Sequence, residues 1–392
     1  MNNKIIAVII VAVLVAAGVG VYFLLQNQGE KDREINLISG VNIEGSGIYI
    51  KSDVDINTMF DFSTEIPTPL KAGWEGKVFG TPGTATIQHV QLLTIVKSMG
   101  MNFTLYLDGA PAAPNTVYFV ANIFNATAAL GDSTIDGGSL WEPQYEKIIA
   151  DSSNKFKALV TTNDLFPGHA CCVIAGYHGY TSTHQAETTK FVAAFVEATN
   201  WVNDAKANPN GENYAQLLEI AKEVAGNNFT DQEVRDALDI VTYFYGDENS
   251  TPLAGIGGQV ATLSENLIDL GTITRKLSEL GFENGEDFVK KFVDDQYLLD
   301  ALKMVEDGSG KSNSGELTEI KVAVIAGDIH QIAIHVAIKL GLFEGYGLKV
   351  TTLNQSNGPG VAVAIQNGEA QFGLLGAPPL TINVINGELV KA

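Results

Sequence analysis

Glu319-Ile320-Lys321-Val322-Ala323-Val324, then Gly341-Leu342-Phe343-Glu344-Gly345-Tyr346-Gly347-Leu348-Lys349-Val350, then Gly368-Glu369-Ala370-Gln371-Phe372-Gly373 running into Gly376-Ala377-Pro378-Pro379 is the stretch that decides the fold. The first piece reads as a strand, and the second carries a helix end into another strand. The same alternation stands upstream. Strands are expected at Ile48–Lys51, Val78–Gly80, Phe103–Leu107, Thr134–Asp136 and Ala158–Thr161, with apolar helical patterns at Ile87–Met99 and Asn115–Leu130. Strands alternating with helices at this spacing imply a parallel sheet covered on both faces.

Cys171–Ala175 reads as a short buried strand, after which the pattern turns helical. Phe191, Phe195, Ala198 and Val202 share one face at i, i+4, i+7 and i+11. Further helices are expected at Glu212–Ala225, Asp231–Leu238, Gln259–Leu280 and Gly285–Val305, with Thr230 and Glu233 placed as a capping box. Gly308–Gly315 is a polar Gly/Ser linker.

The chain of 392 residues is 45% hydrophobic, enough for one large core or two moderate ones. Its 24 basic residues stand against 45 acidic ones, a net charge of -21 that argues against a nucleic-acid partner held through phosphates. The two cysteines, Cys171 and Cys172, are neighbours, so no long-range intrachain disulfide is available. Ile5–Leu25 is an uninterrupted apolar run of about 21 residues, about 31 Å as a helix and long enough to cross a bilayer. An uncleaved anchor is favoured over a signal peptide, whose apolar region spans about 7–15 residues.

Three stretches set Gly or small hydroxyl residues between a strand and a helix: Ala326–Gln331, Asn354–Pro359 and Thr81–Thr86. Glycine lets backbone approach a ligand, hydroxyls donate, and free N–H groups at a helix start favour an anion. Such loops fall at the carboxyl ends of strands, where open α/β sheets bind ligands. The competing reading is that Ser356, Asn357, Thr84 and Thr86 only cap helices. Trp141, on its large apolar area, reads as a core or interlobe packing residue. A Glu142 carboxylate facing a cleft would disfavour a sulfonate or nitrate and suit a cationic ligand.

His169 and Cys171 would share a strand face, but two ligands do not make a metal site, and buried free cysteine is ordinary. His330 and His335, five apart, miss the i, i+4 spacing of a helical metal pair, and His330 reads as a cleft hydrogen-bonder. No metal and no cofactor is expected. Gly255–Gly258 lacks the strand of a nucleotide fingerprint, and no catalytic constellation stands out, so no enzyme is expected.

The pieces from Ile320 onward, in order, resemble the opening of the solute-binding proteins of ABC importers for sulfonates, taurine, nitrate and thiamine-pyrimidine precursors. In that family the following segments are similar to Gly45–Ile50, Gly80–His89 and Trp141-Glu142-Pro143, which here lie nearer the N-terminus. Joining Glu388–Ala392 to Ile35–Gly40 restores the family order, so the resemblance implies a circularly permuted chain with Ala392 close to Ile35. It implies an α/β, two-lobed periplasmic-binding-protein type II architecture, each lobe a mostly parallel sheet flanked by helices. The division expected is 1–34 membrane anchor or signal and spacer, 35–70 hinge strand and start of the lobe I connection, 71–164 lobe II, 165–307 return hinge and helical part of lobe I, 308–317 linker, and 318–392 βα core of lobe I. The implied ligand-binding residues are Asp328, His330, Gln331, Ser356, Asn357, Gly376, Ala377 and Pro378 from one lobe, with Thr81, Gly83, Thr84, Thr86, Trp141 and Glu142 from the other.

What the resemblance implies of function is capture of a small polar solute, such as a sulfonate, taurine or nitrate, by hinge closure. The solute would pass to ABC permease subunits from the extracytoplasmic face, where the N-terminal helix tethers the protein. The alternatives are a thiamine-pyrimidine precursor-binding or synthase-like protein, and a membrane-tethered ligand sensor.

Overall fold

The computed structural model describes residues 34–246, 256–311 and 315–390. The run Ile5–Leu25 and Ala392 lie outside them, and among the described residues no helix is long and apolar enough to cross a membrane. The main strands are β1 (Ile35–Gly40), β2 (Ser46–Lys51), β3 (Val78–Gly80), β4 (Asn102–Leu105), β5 (Thr116–Val120), β6 (Gly137–Trp141), β7 (Phe156–Thr161), β8 (Cys172–Tyr177), β9 (Thr318–Ile325), β10 (Leu348–Gln355) and β11 (Phe372–Gly376). The principal helices are α1 (Ile87–Ser98), α2 (Gln185–Ala207), α3 (Glu212–Ala225), α4 (Asp231–Ile240), α5 (Ile256–Asp269), α6 (Gly285–Phe292), α7 (Gln296–Asp307), α8 (Ile332–Lys339), α9 (Gly358–Gln366) and α10 (Ala377–Asn386).

These strands make two mixed sheets. The first has the order β1-β8-β11-β9-β10, and the second β7-β2-β6-β3-β5-β4. In the first, β9 runs parallel to both β10 and β11, while β8 lies antiparallel between β11 and β1, so β1 points the same way as β9, β10 and β11. Alternate residues of β8 feed opposite cores: Val173 and Ala175 pack on one side, Cys172 and Ile174 on the other. Both faces are therefore dry, which is why these strands read as continuous apolar runs. On one face α2 lays Phe191 flat against Phe372, with ring centroids 4.2 Å apart.

The chain crosses between the sheets twice, from β1 to β2 and from β7 back to β8. Glu44 ties the two crossings together, its carboxylate accepting from Gly168 N at 2.6 Å and from Asn163 Nδ2 at 2.8 Å. At the far edge of the first sheet the Ile35 N–H donates to the Leu389 carbonyl at 3.0 Å, so the residues after α10 lie beside the start of β1.

Several elements differ from the pattern the sequence suggests. Asn115–Leu130 is not one helix: Thr116–Val120 is a strand between β3 and β4, and only Ala126–Gly131 is helical. Its β-branched and aromatic residues suit a half-buried sheet position better than a helix face. The strand expected at Thr134–Asp136 begins instead at Gly137, because Asp136 turns its carboxylate to Lys51 Nζ at 2.8 Å and Val78 N at 3.0 Å. The helix expected over Gln259–Leu280 ends at Asp269, where Gly271 adopts a φ of 74°. The one expected over Gly285–Val305 breaks at Val293, and the next N–H, Asp294, donates to the Leu37 carbonyl of β1. The strand expected over Cys171–Ala175 runs from Cys172 to Tyr177.

Candidate functional site

Two loops after strands of the first sheet, a helix start from the second, and the return crossing line one small, partly open cavity of about 30 Å³. That is space for roughly two waters. Ile325, Asp328 and His330 enter from the end of β9, Asn357 and Gly358 from the start of α9, and Gly376 and Pro379 from the β11–α10 junction. The second sheet contributes Thr86, Ile87 and Gln88 at the start of α1 and Trp141 at the end of β6, while Cys171 and Cys172 close the floor. The sites are carboxyl ends of strands and amino ends of helices, as an open α/β sheet provides.

The helix starts are not alike. Asn357 caps α9, its Oδ1 accepting from Gly360 N at 2.9 Å. In α10 the Ala377 N–H is spent on the Cys171 carbonyl at 2.7 Å, and Pro378 and Pro379 carry no N–H, so this helix offers its dipole and no donors. Thr86, at the N-cap of α1, makes no side-chain cap; its hydroxyl donates to the Gly83 carbonyl at 2.7 Å instead. The first turn of α1 thus meets the cavity without a side-chain acceptor for its N–H groups. Beside it the Trp141 Nε1–H is buried with no hydrogen-bond partner.

His330 is the electrostatic centre. It is 1% exposed, and its Nε2 meets the Gly45 carbonyl at 2.6 Å, while Nδ1 lies 3.5 Å from Cys171 Sγ and 3.7 Å from an Asp328 oxygen. Burial by itself would lower its pKa, but the Asp328 carboxylate and the Cys171 thiol override that and raise it to about 10. Burial raises Asp328 to about 6, against the pull of His330. Of the paired thiols, the hydrogen bond from Cys172 holds Cys171 low, and the same contact together with burial pushes Cys172 up. The two sulfurs and the His330 ring lie within 4.8 Å of one another, a buried donor set of the kind soft metals take.

Glu142 changes the charge reading made from sequence. It does not line the cavity, and burial pushes its pKa up to about 8, so at neutral pH it carries a proton and does not oppose an anion.

Of the residues implied by the resemblance, Thr86, Trp141, Asp328, His330, Asn357 and Gly376 meet at this cavity. Thr84 and Ser356 are exposed and do not line it. Gly83 shapes the turn before α1, and Thr81 is buried with its hydroxyl 3.2 Å from His89 Nδ1. Gln331 is a strut, its amide accepting from Ile325 N at 3.0 Å and donating to the Leu374 carbonyl at 2.9 Å. Ala377 stands behind the cavity, and Pro378 faces a different one. The sequence reading did not place Cys171, Cys172, Gln88 or Pro379 in the site. The signal available for the cysteines was their position at the start of the strand that returns from the second sheet.

The architecture is α/β, with two mixed sheets joined by two crossings and the cavity between them. The chain belongs to the NMT1-like family, whose model matches residues 6–219. Among solved structures it is similar to the ligand-binding component of an ABC-type import system from Staphylococcus aureus with zinc bound, at 16% identity over 69% of this chain and 75% of that one, TM-score 0.39. It is also similar to the periplasmic nitrate-binding protein NrtA from Synechocystis PCC 6803, at 14% identity over 69% and 68%, TM-score 0.48. A third is the alkanesulfonate-binding protein SsuA from Xanthomonas axonopodis pv. citri bound to MOPS, at 14% identity over 61% and 69%, TM-score 0.38. No curated protein matches the chain.

Proposed function

We propose that this protein is the solute-binding component of an ABC importer, not an enzyme, and that it holds a small oxyanion between its lobes. The observation that carries this reading is the uncapped start of α1 facing the small cavity beside the unpartnered Trp141 Nε1–H. Donors without acceptors favour a negative group. The cavity is small enough to be the closed state, so the solute would enter by hinge opening about the two crossings held by Glu44. The lobes in this reading are 71–164 on one side and 165–307 with 318–392 on the other, and the apolar run at Ile5–Leu25 tethers the protein at the extracytoplasmic face beside its permease.

The permuted order is part of the proposal. Joining the residues after α10 to β1 would make β11, α10 and β1 a strand–helix–parallel strand unit, and the Ile35–Leu389 hydrogen bond supports it.

Calorimetry with nitrate, methanesulfonate and taurine tests the anion reading. Trp141→Phe keeps an aromatic side chain, smaller than the indole, and removes the N–H, and losing a hydrogen bond to a charged group costs about 1.5–3 kcal/mol. Affinity for the best of these anions should fall by roughly tenfold or more. Undiminished binding in the variant would refute the assignment. The cluster of Cys171, Cys172 and His330 favours a second reading, a synthase-like protein using a metal, which metal analysis of the purified protein separates from the first.

A further inference from the structure

Two helices, one from the side of each sheet, pack against each other where the chain leaves Trp141. The short helix Gln144–Ile149 follows the end of β6 and packs Tyr145 and Ile148 into a core with Tyr49 and Leu140 of the second sheet. Helix α4 packs Val234, Ala237 and Leu238 with Ile174 and Ile320 of the first sheet. Across the seam Lys147 Nζ donates to Glu233 Oε1 at 3.1 Å and to Oε2 at 3.4 Å, and it lies 5.7 Å from the centre of the Phe229 ring. Glu233 Oε2 also accepts from Thr230 N at 2.6 Å in the capping box of α4, so the carboxylate is fixed before Lys147 reaches it. The side chain of Glu233 is 9% exposed and that of Lys147 30%, so solvent screens this pair less than the fully exposed ion pairs that contribute little. Lys147 is also a cation among acids: Glu142 and Glu146 stand on its side of the seam and Glu233 and Asp236 on the other, and burial, then Asp236 and Glu233, raise the pKa of Glu146. Without the ammonium, carboxyls would face carboxyls.

We infer that the Lys147–Glu233 pair is a latch that biases the two sheets toward the closed arrangement, and that closure turns on Lys147. This rests on the hinge opening proposed above and does not depend on which solute is held. Glu44 ties the two crossings to each other and stays with the hinge. Lys147 and Glu233 instead sit on elements packed against one sheet each, so the bond between them breaks when the sheets part.

The full chain in detergent, spin-labelled at Leu107→Cys after β4 and Lys349→Cys on β10, both exposed, reports the separation of the sheets by pulsed dipolar spectroscopy with no ligand present. Cys171 and Cys172 are buried, and a sample without the introduced cysteines measures any label they take. The ratio of short to long distances should fall about fivefold or more in Lys147→Met and in Glu233→Gln, the second of which keeps the capping acceptor of α4. The double variant should fall no further than Lys147→Met alone, since both changes remove one interaction. Lys147→Arg should hold the ratio within about twofold of the unaltered protein. An unchanged ratio in Lys147→Met, or losses that multiply in the double variant, overturns the latch. Calorimetry with nitrate and methanesulfonate on the same variants separates it from the oxyanion reading: where an anion binds, its affinity should fall in proportion to the closed fraction. If neither anion binds and the ratio still falls, the oxyanion reading fails and the latch stands. If an anion binds and the ratio does not move, the latch fails and the oxyanion reading stands.

Discussion

Gly45→Ala tests the link between the crossing segment and the site without requiring a ligand. Gly45 has a φ of 93°, a conformation costing an L side chain about 1–2 kcal/mol. A Cβ there would stand 2.5 Å from His330 Nε2 and 3.1 Å from a Val241 methyl, so His330 must move and give up its 2.6 Å contact with the Gly45 carbonyl. A hydrogen bond from a charged donor is worth about 1.5–3 kcal/mol. The two terms together come to roughly 3–5 kcal/mol, a fall in Tm of about 4–6 °C for a chain of this size. Gly100→Ala is the control, since Gly100 also has positive φ, 67°, but open space where its Cβ would go. It should cost only the backbone part, about 1 kcal/mol. Differential scanning calorimetry on both variants decides it: equal losses, within about 0.5 kcal/mol, would mean that no ring packs against Gly45 and that the site is not braced by the crossing.

The His330 pKa, raised from 6.5 to about 10, makes a stabilisation that is fully present below pH 6.5 and is lost as pH rises through 10. Tm should therefore fall from pH 7 to 10 more steeply in the unaltered protein than in Asp328→Asn, where the carboxylate that raises His330 is gone; parallel curves would contradict the pairing. Gln331→Leu strands Ile325 N and the Leu374 carbonyl in the interior and should cost about 2–4 kcal/mol in chemical denaturation, with a loss under 1 kcal/mol counting against the strut. Thr84→Ala and Ser356→Ala, both exposed and away from the cavity, should leave anion affinity within about twofold by calorimetry, and a larger loss would return those hydroxyls to the site.

Where a segment's structure was decided within a few turns, the sequence showed it. Glu212–Ala225 is helical over the range its apolar spacing marks, and the Thr230–Glu233 capping box forms with both hydrogen bonds, at 3.2 and 2.6 Å. Val293 is extended because a neighbouring strand takes the N–H that follows it, and nothing local announces that. Thr116–Val120 is a strand that its sequence does not distinguish from helix, because a short apolar run has no period long enough to tell the two apart.

The candidate site divides along the same line. Small and hydroxyl residues between strands and helices were visible at Thr81–Thr86, Ala326–Gln331 and Asn354–Pro359, because the residue types that let backbone approach a ligand are written locally. Which of them reach the cavity was not, since Thr84 and Thr86 differ by two residues and by whether they face solvent or protein. The state of Glu142 depends on burial that only packing supplies. The sequence by itself determined the alternation of strands and helices and the loops that could bind. Tertiary structure alone brought Cys171 to His330 across 159 positions and left α1 uncapped beside Trp141, because each depends on which distant surfaces exclude water together.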